Sequence, residues 1–143
     1  MNNSFISGKR FLVGFLYFIF LLHILASIFG WYDSIKYFDS LHHFLGGAWI
    51  FLFASFYWVK FGLGNDLNKK AIFLIFGVSM ACFFGTLWEF FEFGLDKYSL
   101  IQYGVLGGNQ ADLQDTMSDL LFDILGALVA GFAYLPLLKQ NRK

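Results

Sequence analysis

Four long apolar stretches alternate with short polar ones along the chain. They run from about residue 11 to 29, 40 to 59, 71 to 93 and 116 to 138. A helix needs about 20 mostly apolar residues to cross a bilayer, and each stretch has that length. Lipid offers no hydrogen-bond partner to an open strand edge, so such segments are helices. The pattern predicts an all-α, polytopic membrane protein: a four-helix transmembrane bundle in which residues 1–143 form a single transmembrane domain. Lys9 and Arg10 precede the first stretch, as in a signal peptide. Its apolar run exceeds the about 7–15 residues of a signal h-region, and no small-x-small pattern ends it. A retained helix is expected.

Composition agrees with this reading. Of 143 residues, 58% are hydrophobic, 22% aromatic and 14% charged, and 21 are phenylalanine. A soluble domain carries about 25% charged residues and could not bury this much apolar surface. Disordered chains, disulfide scaffolds and ordinary cytosolic enzymes are excluded. The net charge is zero, so nucleic acid is not an expected partner; the lipid bilayer is. Cys82 lies within an apolar run and reads as a core thiol, behaving as a small hydrophobe.

Positive residues orient membrane helices. Lys9, Arg10, Lys60, Lys69, Lys70, Lys139, Arg142 and Lys143 would share one side; Lys36 and Lys97 would lie on the other. This bias predicts a cytoplasmic (inner) membrane protein with both termini cytoplasmic. Loops at about 30–39 and 94–115 would lie outside. The carboxylates show the reverse bias. Only Asp66 falls on the inner side, although acidic residues contribute little to topology. Their segregation needs another cause.

Three helices deliver polar groups to the outer level. The second stretch starts with Asp39, His42 and His43. The third ends with Glu89 and Glu92. The fourth starts with Asp115, Asp119 and Asp123, preceded by Asp112. Ionisable groups within a membrane are costly and face a bundle interior or a wet cavity. Glu89 and Glu92 share one helical face, as do Asp115, Asp119 and Asp123. At a rise of 1.5 Å per residue, Asp123 lies roughly 12 Å deeper than Asp115. Like charges at this spacing repel, and glutamates at a helix C-terminus oppose the macrodipole. With no arginine on this side, the offset falls to shared protons or a bound cation. Carboxylates and histidines from facing helices are how bundle metal sites are built. The expected metal ligands are His42, His43, Glu89, Glu92, Asp115 and Asp119, with Glu89 and Asp119 as the catalytic candidates. Asp39, Asp112 and Asp123 complete the cluster. The donor set suits zinc, iron or manganese.

Plainer roles compete. Asp115 and Thr116 could cap the fourth helix, with Asp119 completing a Thr-x-x-Asp box. His42 and His43 are adjacent, so at most one is expected to face the site. His23, within the first stretch, reads as a hydrogen-bonded core histidine. Trp31, Tyr32, Trp88 and Tyr98 near one boundary, and Tyr57 and Trp58 near the other, read as an aromatic belt. Gly46, Gly47, Gly126, Ala127, Ala130 and Gly131 allow close helix approach. Gly107-Gly108-Asn109 reads as a flexible turn or partial lid, and lacks the Lys-Ser/Thr of a phosphate loop.

The segments Asp39-Ser40-Leu41-His42-His43-Phe44, Trp88-Glu89-Phe90-Phe91-Glu92 and Gln110 to Asp119, followed by Gly126-Ala127, resemble the YjdF-like family of bacterial inner-membrane proteins. The likeness covers roughly residues 30–131. Ala111 and Gln114 stand where that family often has Gly and Trp, and this chain is shorter with fewer spans than the resemblance implies. The family's function is unknown, so the likeness implies a membrane location and importance of the polar positions, not a substrate. A weaker likeness is to VanZ-like membrane proteins.

Three functions follow as expectations. One is a metal-dependent membrane hydrolase acting at the outer face on a lipid or lipid-linked substrate. The second is a non-catalytic module whose polar cluster is structural or binds a partner. The third is a proton or ion pathway, disfavoured because the inner halves of the spans offer few polar groups.

Overall fold

The computed structural model describes residues 3–61, 70–104 and 112–140. Nearly all of them are helical, with no strand among them: α1 (Asn3–Phe29), α2 (Trp31–Ser34), α3 (Phe38–Lys60), α4 (Lys70–Tyr103) and α5 (Leu113–Gln140). Gly8–Phe29, Lys70–Tyr103 and Leu113–Pro136 are long and apolar enough to cross a membrane. The remaining expected span, α3, has 23 residues, but His42, His43, Gly46, Gly47 and Trp49 dilute its apolar content. That helix is the central one. It packs against α5, α4 and α1, so Ser40, His42 and His43 face protein.

Each inward stripe follows from spacing. On α3 it comprises Ser40, His43, Gly47, Phe51, Ala54 and Trp58. On α4 it comprises Phe73, Gly77, Ala81, Gly85, Glu89 and Asp96. On α5 Asp119, Asp123, Ala127 and Ala130 are buried. All recur at three or four residues, or multiples of them, which keeps them on one helical face. Phe51, Trp58, Phe73, Ala81, Ala127 and Ala130 form the apolar core. The Phe51 and Phe73 rings meet edge to face at 5.4 Å. Outward, Phe11, Tyr17, Phe18, Leu21, Phe83, Phe90 and Phe132 are exposed. That is the surface expected of a protein solvated by lipid.

Glycines set the helix approach. A Cβ on Gly47 would overlap the Asp123 carbonyl, and one on Gly126 would overlap that of Phe44. The expected role of these small residues in close packing is met, because α3 and α5 touch backbone to backbone there.

Several boundaries differ from the expectation. The outer loop expected at 94–115 is mostly helix: α4 continues ten residues past Phe93 to Tyr103. Asp96, Lys97 and Ser99 resemble loop composition, yet Leu95, Leu100 and Ile101 keep helical spacing. The helix ends at Gly104, whose φ of 67° is the left-handed conformation that glycine supplies after a helix. At 1.5 Å per residue α4 is about 51 Å long, against a hydrocarbon core of about 30 Å. Glu89 and Glu92 are therefore inside α4 rather than in its last turns, and the macrodipole argument against them lapses. The 30–39 loop contains the short helix α2 and the start of α3. Tyr37 adopts φ 63° to make the turn. The cap of α5 is Asp112, not Asp115 with Thr116: Asp112 Oδ1 accepts the Asp115 N–H at 3.0 Å, satisfying one otherwise open donor of the first turn. Trp58 is buried in the core and is not part of a belt. Gly107-Gly108-Asn109 and Asp66 lie outside the described residues.

Candidate functional site

The site is built around His43. Its Nδ1 lies 3.3 Å from Asp123 Oδ2 on α5. Its Nε2 lies 3.8 Å from Glu89 Oε1 on α4 and 4.0 Å from Asp39 Oδ1, one turn earlier on α3. Ser40 donates to Asp119 Oδ1 at 3.4 Å. His43, Glu89, Asp119 and Asp123 are only 7%, 4%, 2% and 4% exposed. Asp39 and Glu92 are half-buried at the rim.

The two sides of the imidazole have different environments. Asp123 is held against α3 and α4 because glycines leave it room: a Cβ on Gly85 would overlap its carboxylate. A neutral His43 that donates Nδ1–H to Asp123 turns the lone pair of Nε2 toward the other carboxylates. A histidine that ligates a metal almost always donates its other ring N–H to such a partner. Two ligand groups share this nitrogen-bearing residue. Asp39, His43 and Asp119 form one, and His43, Glu89 and Glu92 the other, with donor atoms in each within 4.8 Å of one another. A tetrahedral ion with bonds of about 2.1 Å separates its donors by about 3.4 Å. The His43 contacts to Asp39 and Glu89 need to close by only about half an ångström. The donors are hard oxygens with one nitrogen, which fits zinc, iron or manganese.

Not every expected residue joins the cluster. His42 turns away from His43 and takes part in a second network. Its Nδ1 lies 2.6 Å from Tyr32 Oη, and Tyr32 Oη also lies 2.6 Å from His23 Nδ1. The two imidazoles stack at 5.3 Å, with Trp88 edge-on to His23 at 6.4 Å. Consecutive helical residues point about 100° apart, which is why one histidine faces α4 and α5 and the other α1. Asp112 is exposed and serves as the α5 cap. Asp115 is half-buried near the cluster's mouth, close enough to act electrostatically on Asp39 and Asp119.

Two participants, Ser40 and Tyr32, and one further buried carboxylate, Asp96, escape a reading of the sequence. Ser40 looks like a helix-start residue, and Tyr32 like a boundary aromatic. Asp96, placed in a loop by its neighbours, is buried on α4. Its signal was present: it stands seven residues, or two turns, after Glu89. Tyr32 is held protonated above the usual tyrosine range, first by burial and then by the nearby Asp39 and Glu92 carboxylates.

This arrangement defines a class: a helical membrane protein with a buried His/carboxylate cluster where three helices meet. Residues 6–140 match the family described as predicted membrane protein DUF2238. The chain belongs to this family, to which the name YjdF-like also applies. It is 33% identical over 115 residues to an uncharacterized protein of Thermotoga maritima, an overlap of 76% of this chain and 53% of that protein. The chain thus spans about half the length of the curated relative it matches. No solved structure matches it.

Proposed function

We propose that the chain is a four-span membrane metalloprotein, with α3 as its fourth span, that hydrolyses a lipid or lipid-linked substrate. The observation that carries the metal is the orientation of His43. Its Nδ1 is on Asp123 at 3.3 Å, and its Nε2 is turned toward Glu89 and Asp39. His43, Glu89, Glu92, Asp39 and Asp119 hold the ion, and Asp115 shapes its field from the mouth. A divalent cation there would supply polarisation of a carbonyl or phosphoryl oxygen and acidification of water. Glu89 or Asp119, through the carboxylate oxygen that the ion leaves free, accepts the proton of the attacking water. Asp39 and Glu92 at the rim offer substrate a way in. With the lysine bias toward the other end, the cluster faces outward, in a cytoplasmic membrane with both termini inside.

A second reading has its own support. Ser40–Asp119 and His43–Asp123 both tie α3 to α5, which is the arrangement of interhelical glue in a non-catalytic module. A through-pathway for protons or ions has less support, because the Phe51, Phe73 and Ala127 core fills the bundle beyond Asp123.

Elemental analysis of detergent-purified chain, with Glu89→Ala and Asp119→Ala beside wild type, separates these readings. The metalloprotein reading expects about one metal per chain, lost in variants that still fold. Wild type without metal after exposure to zinc, iron and manganese overturns it. Variants that unfold while wild type is metal-free support the structural reading.

A further inference from the structure

The opposite end of α3 carries a different feature. Between the first turns of α1 and the last turns of α3 lies a cavity of about 270 Å³. Leu12 and Leu16 of α1 and Trp49 and Phe53 of α3 form its apolar walls, with Lys9 and Lys60 beside them. The cavity exists because α1 is the least embedded long helix: it packs on α3, and Leu12 and Ala26 are its buried residues. Trp49 Nε1 donates to the Leu12 carbonyl at 2.8 Å and fixes the spacing of the two helices.

The α3 wall is an aromatic ladder at four-residue spacing. Trp49 stacks on Phe53 at 5.1 Å, and Phe53 meets Tyr57 at 4.8 Å. Lys60 Nζ sits 5.2 Å over the Tyr57 ring. Lys9 and Lys60 are both exposed, and neither meets a carboxylate among the described residues. An apolar slot thus ends between two like charges from neighbouring helices. Basic pockets between membrane helices take anionic lipid headgroups. Along α3 the slot begins about 9 Å from His43 at Trp49 and ends about 26 Å away at Lys60, and it shares no residue with the cluster, so this inference is independent of the metal reading.

We propose that this groove binds one anionic phospholipid. Its phosphate lies between Lys9 and Lys60, and an acyl chain lies along Trp49 and Phe53. A zwitterionic lipid of the same chain length fits the slot but brings its own cation to the two lysines.

Native mass spectrometry of the full chain, released from neutral detergent, tests this with phosphatidylglycerol and phosphatidylcholine of identical chains. The glycerol lipid should bind more tightly. Lys9→Gln and Lys60→Gln should each weaken it about five-fold and leave the choline lipid unchanged. Lys36→Gln, at the other end beside Tyr37, should change neither. Val13→Trp, which fills the slot from its exposed edge, should weaken both lipids. Equal affinity for the two lipids, or an unaltered Lys9→Gln/Lys60→Gln double variant, overturns the proposal. So does a Lys36→Gln loss as large as the others, which would mean unspecific charge attraction. Displacement of the lipid by equimolar glycerol phosphate would also overturn it, by showing that the acyl groove contributes nothing.

Discussion

Asp123→Asn separates a positioned histidine from a merely crowded one. Asparagine has the shape of aspartate, so it fits the space left by Gly47 and Gly85, where even one added carbon overlaps Asp123. The fold should survive. What changes is the partner of His43 Nδ1, now 3.3 Å from a carboxylate oxygen. An amide accepts that N–H less strongly than a charged carboxylate. If the amide presents its NH₂ instead, the ring proton moves to Nε2 and blocks the ligand atom. Loss of such an outer partner typically weakens metal binding 10- to 100-fold, or about 1.4–2.8 kcal/mol. The assay is competition against a chromophoric chelator in detergent, using zinc and manganese. Nitrogen-15 shifts of a histidine-labelled sample report which ring nitrogen carries the proton. The expected result is weaker binding with an unchanged helical circular dichroism spectrum. Wild-type metal affinity in Asp123→Asn would refute the reasoning, because Asp123 would then not orient His43.

Other perturbations read other links. Glu89→Gln should abolish metal retention while preserving the helical spectrum, as measured by elemental analysis. Tyr32→Phe leaves two imidazole nitrogens without the hydroxyl they share; at about 1–3 kcal/mol for an unsatisfied buried group, thermal unfolding in detergent should shift down while metal content holds. Tyr32 should also stay protonated through the ordinary tyrosine range near pH 10. Because its folded pKa is raised, its contribution to stability is complete below the ordinary tyrosine range and lost as pH rises through the folded value; alkaline difference spectra of wild type and Tyr32→Phe should coincide until then. Gly126→Ala forces α3 and α5 apart at the Phe44 carbonyl and should destabilise by about 1–3 kcal/mol, with metal affinity falling as the helices separate.

The long apolar runs made the helical class and the membrane location legible, because lipid permits few other solutions. The inward placement of Glu89, Asp119 and Asp123 was legible too, since their spacing matches the helix period, whereas His42, Asp112 and Asp115 lie outside the cluster. The extents were less legible. Asp96, Lys97 and Ser99 resemble a loop, but polarity ends a membrane core and not a helix; only the left-handed Gly104 ends α4. The choice between His42 and His43 was open because either can face inward until the Gly47–Asp123 contact sets the rotation of α3. The Tyr32 network was invisible for a similar reason. It depends on the short α2 turn, held by Gly30 and Tyr37 at positive φ, and a non-glycine residue in that conformation leaves no mark in the sequence.

Charge balance supplies a last test of the cluster. Five carboxylates, from Asp39, Glu89, Glu92, Asp119 and Asp123, surround one imidazole. His43 can offset one negative charge at most, and burial without compensation is expensive. A divalent cation offsets two charges, and protons must share the remainder with solvent. Metal binding therefore competes with protons for the same oxygens and for Nε2, and should release protons as it occurs. Calorimetric titration of metal into metal-stripped protein, in two buffers of different ionisation enthalpy, measures this directly. The sign follows from competition: metal in, protons out, and weaker apparent binding as pH falls. Heats that are identical in both buffers after correction for the free metal would mean no proton exchange. In that case the carboxylates would already be fully ionised or inaccessible to the metal, and the charge balance argued here would fail.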